Sequence, residues 1–258
     1  MIGLKNNFAN SNITYVNFLH QLCIKLNKMA QAGLHAIIGY QTKRIIPYEK
    51  RIIPAIIFGS MLPDIDIIVV GIGSLFNNLM VAEKLFHRTF THSFFTLIFV
   101  YLFFAILSEL KKNPTFKSVG KGIAIGMLIH YLTDSILWFN KIDLLWPLPI
   151  NPIDIWNSWS PPKPIIHALL TIEFFCFRWY AWFLIKKHYE KPNKHSWIIM
   201  HLNIWKNLET WIFLLFIFLT IWEVSWFKLV FGFAYIPSLI MALFSTYASR
   251  DALECKTE

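Results

Sequence analysis

Residues 87–107 read His87-Arg88-Thr89-Phe90-Thr91-His92-Ser93-Phe94-Phe95-Thr96-Leu97-Ile98-Phe99-Val100-Tyr101-Leu102-Phe103-Phe104-Ala105-Ile106-Leu107, two imidazoles and a guanidinium set directly against a largely apolar run. Extended to Leu110, the run is about 25 Å long as a helix, close to the hydrocarbon thickness of a bilayer. Ionisable groups at the mouth of such a helix are costly to place unless they bind something. Two more polar groups interrupt apolar sequence nearby, Pro63-Asp64-Ile65-Asp66 upstream and His130-Tyr131-Leu132-Thr133-Asp134 downstream.

The rest of the chain has the same character. Its 258 residues are 56% hydrophobic, 17% aromatic and 15% charged, with a mean hydropathy of +0.49, outside the range of ordinary soluble domains. Further apolar stretches occur at residues 122–139, 165–185, 211–222 and 229–248; the third is short unless it runs back to Ile204. Residues 52–75 are apolar but carry Pro54, Gly59, Pro63, Asp64, Asp66, Gly71 and Gly73, which suits a broken or re-entrant helix buried among others. The expected fold class is all-α, a polytopic helical membrane protein with about five or six membrane segments. Residues 1–28 form an N-terminal extension, 29–164 a metal-site membrane domain and 165–258 a set of C-terminal transmembrane helices. Ile13, Val16, Leu19, Leu22, Leu26 and Met29 recur at helical spacing, as in an amphipathic helix lying on a membrane or an ordinary solvated one.

The formal charge of +9 comes from lysines and arginines in short connections: Lys43, Arg44, Lys50 and Arg51; Lys111, Lys112, Lys117 and Lys121; Lys186, Lys187, Lys191 and Lys194. That is the positive-inside pattern, and it argues against a nucleic-acid partner. With the 111–121 connection on the cytoplasmic side, His87 and His92 fall at the outer mouth, Asp134 in the outer half of its helix, and Asp64 and Asp66 at the outer end of theirs. Three polar motifs thus converge on one depth. Trp138, Trp146, Trp156 and Trp159, with six prolines between Pro147 and Pro164, make a rigid loop at that level, read as an aromatic belt or as a lid. Cys23, Cys176 and Cys255 are too scattered for a disulfide framework or a metal knuckle. No serine-hydrolase, zincin or nucleotide fingerprint occurs.

His130 and Asp134, four apart, share a helix face and can ligate one divalent ion, or the carboxylate can orient the imidazole. Asp64 and Asp66, in a turn after Pro63, can face one ion or bridge two. Thr91 or Ser93 is a plausible N-cap for the following helix, with His92 at its start, His87 in the loop before it and Arg88 beside an anion-binding helix terminus. His35, in a small-residue apolar stretch, is by position more often a core histidine than a ligand. Glu173 and Arg178 read as an intramembrane polar pair. Ligands of His and Asp without Cys suit Zn, Mn or Fe.

Gly59-Ser60 with Pro63-Asp64-Ile65-Asp66, then His87-Arg88 and Thr91-His92-Ser93, then His130 and Asp134, with His35 ahead, resemble the YdjM-like family of bacterial inner-membrane, metal-dependent hydrolases over about residues 29–150. Two features depart from it. The stretch before His35 is long, with Met29 an alternative start, and Thr89 and Phe90 stand where a glycine and a small or aliphatic residue are common. The resemblance implies a multi-pass helical protein of the inner membrane with metal-dependent hydrolase activity, and it adds His35 to the ligands. The expected site holds one or two divalent ions, Zn or Mn, on His35, Asp64, His87, His92, His130 and Asp134. Arg88 meets the substrate anion and Asp66 is a catalytic group or a further ligand. Membrane lipid is the expected partner and a small or lipid-like molecule, such as a lipid-borne phosphoester, the expected substrate. A transporter or metal-permeating protein and a non-enzymatic scaffold are the alternatives.

Overall fold

Polar breaks in the apolar sequence decide where the helices bend and which of them pack centrally. The computed structural model describes residues 32–76, 81, 87–137, 141–157, 159, 161–191 and 196–254. The amphipathic stretch expected at 13–29, the rest of the 1–28 extension, and Trp138 lie outside the described residues. Helix α1 (Ala32–Gln41) leads through a 3-10 turn bearing Lys43 and Arg44 to α2 (Ile52–Met61). A second 3-10 turn, Leu62–Ile65, joins α2 to α3 (Asp66–Phe76). Then follow α4 (Phe94–Lys111), α5 (Pro114–Leu137), α6 (Lys163–Tyr189), α7 (Ser196–Ile221), α8 (Phe227–Ala248) and the short α9 (Arg250–Leu253). Among the described residues there is no strand; the 141–157 loop carries one isolated antiparallel bridge between Ile142 and Ile153.

Among the described residues, five helical stretches are long and apolar enough to cross a membrane, Ile52–Val70, Phe94–Lys111, Lys163–Tyr189, Ser196–Ile221 and Val230–Ala248. The first is the segment expected to be broken: Pro63, with no N–H to donate, sits in the 3-10 stretch between α2 and α3. Helix α5, with 24 residues, is ~36 Å long and can also span, but Lys117, Lys121, His130 and Asp134 make it less apolar than the five. The segment expected at 211–222 is the end of a longer helix that begins at Ser196. The sequence hid this because Glu209 interrupts the apolar run, whereas in the fold Glu209 is buried and accepts a hydrogen bond from Trp205 Nε1 at 2.7 Å.

Burial separates a centre from a periphery. Two thirds of the α2–α3 span (67%) is buried, against 11% of α4, which turns Phe95, Ile98, Phe99, Leu102, Phe103 and Ile106 outward to lipid. Helices α2 and α5 meet backbone to backbone. A Cβ on Gly126 would stand 2.2 Å from Ile56 O, and one on Gly59 2.3 Å from Ile123 O. Small residues permit that approach, which in lipid supplies the dispersion contacts that hold helices together. The helices after residue 164 share a core with α1 and α2. Their aromatic core of Phe174, Phe177, Phe216, Phe231 and Tyr235 is continuous with Ala32, Ala36, Ile57 and Met61 of α1 and α2.

The basic connections gather at one end. Arg51 pairs with Asp251 at 2.6 Å and Glu254 at 3.1 Å, Lys121 pairs with Glu49, and Lys191 Nζ donates to Glu254 O at 3.1 Å. The 87–93 and 141–157 segments lie at the other end, as the charge pattern predicts.

Candidate metal centre

The 87–93 loop is shaped around one carboxylate. Asp66 Oδ2 accepts the Arg88 backbone N–H at 2.8 Å and the Thr91 hydroxyl at 3.2 Å, His87 Nδ1 lies 3.3 Å from Asp66 Oδ1, and His92 Nδ1 lies 3.5 Å from Oδ2. Arg88 has φ +55°, a left-handed conformation that costs a non-glycine residue roughly 1–2 kcal/mol; the bond from its own N–H to Asp66 helps to hold it there. Ser93 is the N-cap of α4, its Oγ accepting from Phe95 N at 3.1 Å. His92 therefore closes the 3-10 turn just ahead of the helix. Tyr131 fastens this turn to α5 by donating to Thr91 O at 2.9 Å.

Inside the loop, four side chains from three segments converge, Asp64 from the 62–65 turn, His92 from the 90–92 turn, and His130 and Asp134 from α5. His130 Nδ1 lies 2.8 Å from Ser60 O; a carbonyl only accepts, so the proton sits on Nδ1 and Nε2 presents its lone pair. That Nε2 is 3.1 Å from His92 Nε2, 3.5 Å from Asp64 Oδ1 and 3.7 Å from Asp134 Oδ2, while His92 Nε2 is 3.8 Å from the same Asp134 oxygen. His35 completes the group through Asp134 Oδ1 at 3.0 Å, its ring centroid 4.1 Å from that of His130. Asp64, His92 and His130 form one set of potential ligand atoms within 4.8 Å of one another, and His35, His130 and Asp134 a second. All five residues are buried.

Asp64 and Asp66 do not face the same point. Positions i and i+2 on helical backbone point to nearly opposite sides. Asp64 therefore turns inward to His130 and Asp66 outward to the loop. Asp66, expected among the catalytic or liganding groups, is occupied by four partners of the 87–92 loop and positions His92. His87, expected among the ligands, is brought to Asp66 and lies in neither ligand set. Arg88 Nη2 donates to Asp134 Oδ2 at 3.0 Å. Its Nη1 is buried with no partner among the described residues.

The C-terminal helices supply groups that the sequence did not reveal. Tyr235 of α8 donates from Oη to Asp64 Oδ2 at 3.2 Å, fixing the carboxylate from the side opposite His130. Glu173 of α6 does not pair with Arg178: at i,i+5 the two leave the helix on different faces. Arg178 Nε donates to Thr210 Oγ1 at 2.9 Å, whereas Glu173 Oε1 accepts the Gly33 N–H at 2.6 Å at the start of α1, two residues before His35. The only signal for either group is a polar residue in an apolar helix.

The centre lies deeper than a helix mouth. Tyr235 is two turns into α8, ~12 Å below the helix start. Over the 90–94 turn sits the proline- and tryptophan-rich loop. Phe94 N donates to Leu144 O at 2.9 Å, Ser93 Oγ donates to Trp146 O, and the Phe90 and Trp146 rings meet edge to face at 5.9 Å. Trp146 and Trp156 stay about two fifths exposed, 38% and 37%, while the loop roofs the turn that carries His92.

The donor set fits a divalent ion. Two imidazole nitrogens bound at about 2.05 Å to a tetrahedral centre stand ~3.3 Å apart, close to the 3.1 Å between His92 and His130. His35, Asp64, His92, His130 and Asp134 are the residues that could hold a metal ion.

Comparison with curated proteins and with solved structures finds no match. The chain does match, over residues 29–249, the family described as YdjM inner membrane protein. That region holds every residue of the centre, together with Glu173 and Tyr235 from beyond the motifs. The chain belongs to the YdjM inner membrane protein family.

Proposed function

We propose that the protein is a membrane-embedded, metal-dependent hydrolase of a lipid-borne phosphoester. The observation that carries this reading is the approach of two buried imidazole Nε2 atoms, His92 and His130, at 3.1 Å, ringed by the carboxylates of Asp64 and Asp134. A bound divalent ion supplies Lewis-acid polarisation of a phosphoryl oxygen. The chain's own residues prepare the site for it. Ser60 O fixes the His130 tautomer, Asp66 orients His92, and Tyr235 holds Asp64. Arg88 is tethered to Asp134 through Nη2 and leaves Nη1 for the phosphoryl oxygens, where developing charge is stabilised. The position of the centre, about two turns below the outer end of α8 and beneath the turn that carries His92, suits a substrate that enters from the outer interface with its chains remaining in lipid.

The test is metal analysis of detergent-purified protein together with hydrolysis of bis(p-nitrophenyl) phosphate and phosphatidate by wild type and His92→Ala. Stoichiometric Zn or Mn, with turnover that His92→Ala removes, supports the reading. Protein that carries no stoichiometric metal, and turnover unchanged by His92→Ala, sinks it. Metal flux into proteoliposomes that vanishes in Asp134→Asn, without hydrolysis, replaces it with the transporter.

A further inference from the structure

At the basic end of the bundle, away from the His/Asp centre, a cavity of about 740 Å3 opens between the ends of α6 and α8 and the start of α7. Lys191 and Arg250 line it beside Trp197, Phe244 and Tyr247. Lys191 Nζ donates to Glu254 O at 3.1 Å and Arg250 Nη1 to Tyr247 O at 3.0 Å, with the Arg250 guanidinium 4.5 Å over the Tyr247 ring. Main-chain carbonyls orient these cations without cancelling their charge. Asp251, also in the wall, is turned to Arg51 Nη2 at 2.6 Å.

Beside these charged groups the walls are largely apolar and open outward. Trp197, Phe244 and Tyr247 are each half exposed or more, and the surface continues along Met200 and Ile204 of α7 and Ile240 of α8, all exposed. On the other flank of α8 lies a nearly apolar cleft of about 330 Å3 against Phe58, Phe104 and Ile123, and Tyr247 and Arg250 line this one too. A soluble phosphate compound would use the cations and leave these walls empty. A lipid without net charge would use the walls and leave the cations unpaired.

We propose that this end of the bundle binds an anionic phospholipid of the adjacent leaflet, its phosphate between Lys191 and Arg250 and its acyl chains along Phe244 and Tyr247. The positive-inside pattern makes that leaflet the cytoplasmic one, where basic pockets between helices meet anionic headgroups. The site is separate from the metal centre and does not depend on what that centre does.

The test uses the full chain purified in detergent and titrated with dioleoyl phosphatidylglycerol, dioleoyl phosphatidylcholine or glycerol 1-phosphate, the bound fraction read by native mass spectrometry. Phosphatidylglycerol should bind, and the other two should bind much more weakly. Lys191→Ala and Arg250→Ala should each weaken phosphatidylglycerol by about fivefold, while Lys112→Ala, in the exposed α4–α5 turn, should leave it unchanged. Lys191→Gln removes the charge while keeping a donor toward Glu254 O, and it carries the test if Arg250→Ala does not fold. Equal binding of phosphatidylcholine, equal binding of glycerol 1-phosphate, or wild-type affinity in the Lys191 variants overturns the proposal.

Discussion

His92 Nε2 and His130 Nε2 stand 3.1 Å apart although the residues come from a 3-10 turn and a helix 38 positions along the chain. Each ring is oriented from behind, His130 by Ser60 O at 2.8 Å and His92 by Thr91 Oγ1 at 3.0 Å, with Asp66 3.5 Å away. Rings fixed in this way have little freedom left to lose when an ion arrives. Removing the ion should therefore remove stability, because a ligand that binds only the folded state stabilises it in proportion to the logarithm of its concentration over Kd. Chelation should lower the unfolding temperature of the wild type in detergent and leave that of His92→Ala and His130→Ala unchanged. A wild type whose melting is indifferent to chelator, at a concentration that strips the metal, would argue against a stabilising ion at these imidazoles.

Asp64 and Asp66 should behave differently despite standing two residues apart. Asp64 contributes an oxygen 3.5 Å from His130 Nε2, whereas Asp66 holds the loop through Arg88 N and Thr91 Oγ1. Asp64→Asn should abolish stoichiometric metal. Asp66→Asn should weaken metal by roughly 10–100-fold, the usual effect of losing a carboxylate that orients a ligand. Equilibrium dialysis with Zn2+ distinguishes the two, and equal losses would place Asp66 among the ligands.

How much of this could be read from sequence follows the locality of each contact. The pairing of His130 with Asp134 is a four-residue helical spacing, so it was legible, and the N-cap was legible as one of two hydroxyls ahead of the apolar run, Thr91 or Ser93, of which the fold uses Ser93. The division of labour between Asp64 and Asp66 was not, because it depends on helical backbone through a proline where a turn was expected. His87 was expected among the ligands from its place in the His87-Arg88 and Thr91-His92 motif; in the fold its Nδ1 lies 3.3 Å from Asp66 Oδ1, next to the left-handed Arg88. Tyr235 and Glu173 reach the centre and α1 across 171 and 140 residues respectively, and no local pattern announces so remote a contact.

Arg88 should matter to turnover more than to metal. Its Nη2 is bound to Asp134 Oδ2 at 3.0 Å, and its buried Nη1 has no partner among the described residues. Replacing a donor aimed at transition-state charge lowers kcat by roughly 10²–10³. Arg88→Lys, which keeps the charge but cannot reach two oxygens in one plane, should show most of that loss on a phosphoester while metal content stays at the wild-type ratio. Loss of metal in step with activity would instead make Arg88 a support for Asp134.

Tyr235→Phe tests whether the C-terminal helices take part in the centre or only enclose it. The substitution removes one hydroxyl, the donor to Asp64 Oδ2 at 3.2 Å, and keeps the ring, which stacks on Phe231 at 5.4 Å and packs against Phe177 at 5.9 Å. The hydrogen bond is worth roughly 0.5–1.5 kcal/mol, so the unfolding temperature should fall only slightly. Metal affinity should fall further, by about tenfold or more, because Asp64 is released from the orientation in which it meets His130. Glu173→Gln is the matched control. It keeps an acceptor for Gly33 N, at 2.6 Å in the wild type, and so should preserve the start of α1 and wild-type metal affinity. If Tyr235→Phe binds metal as the wild type does, α8 is a wall. If it loses affinity while Glu173→Gln does not, then α8 helps to orient a ligand of the centre, and residues 165–258 belong to the function and not only to the fold.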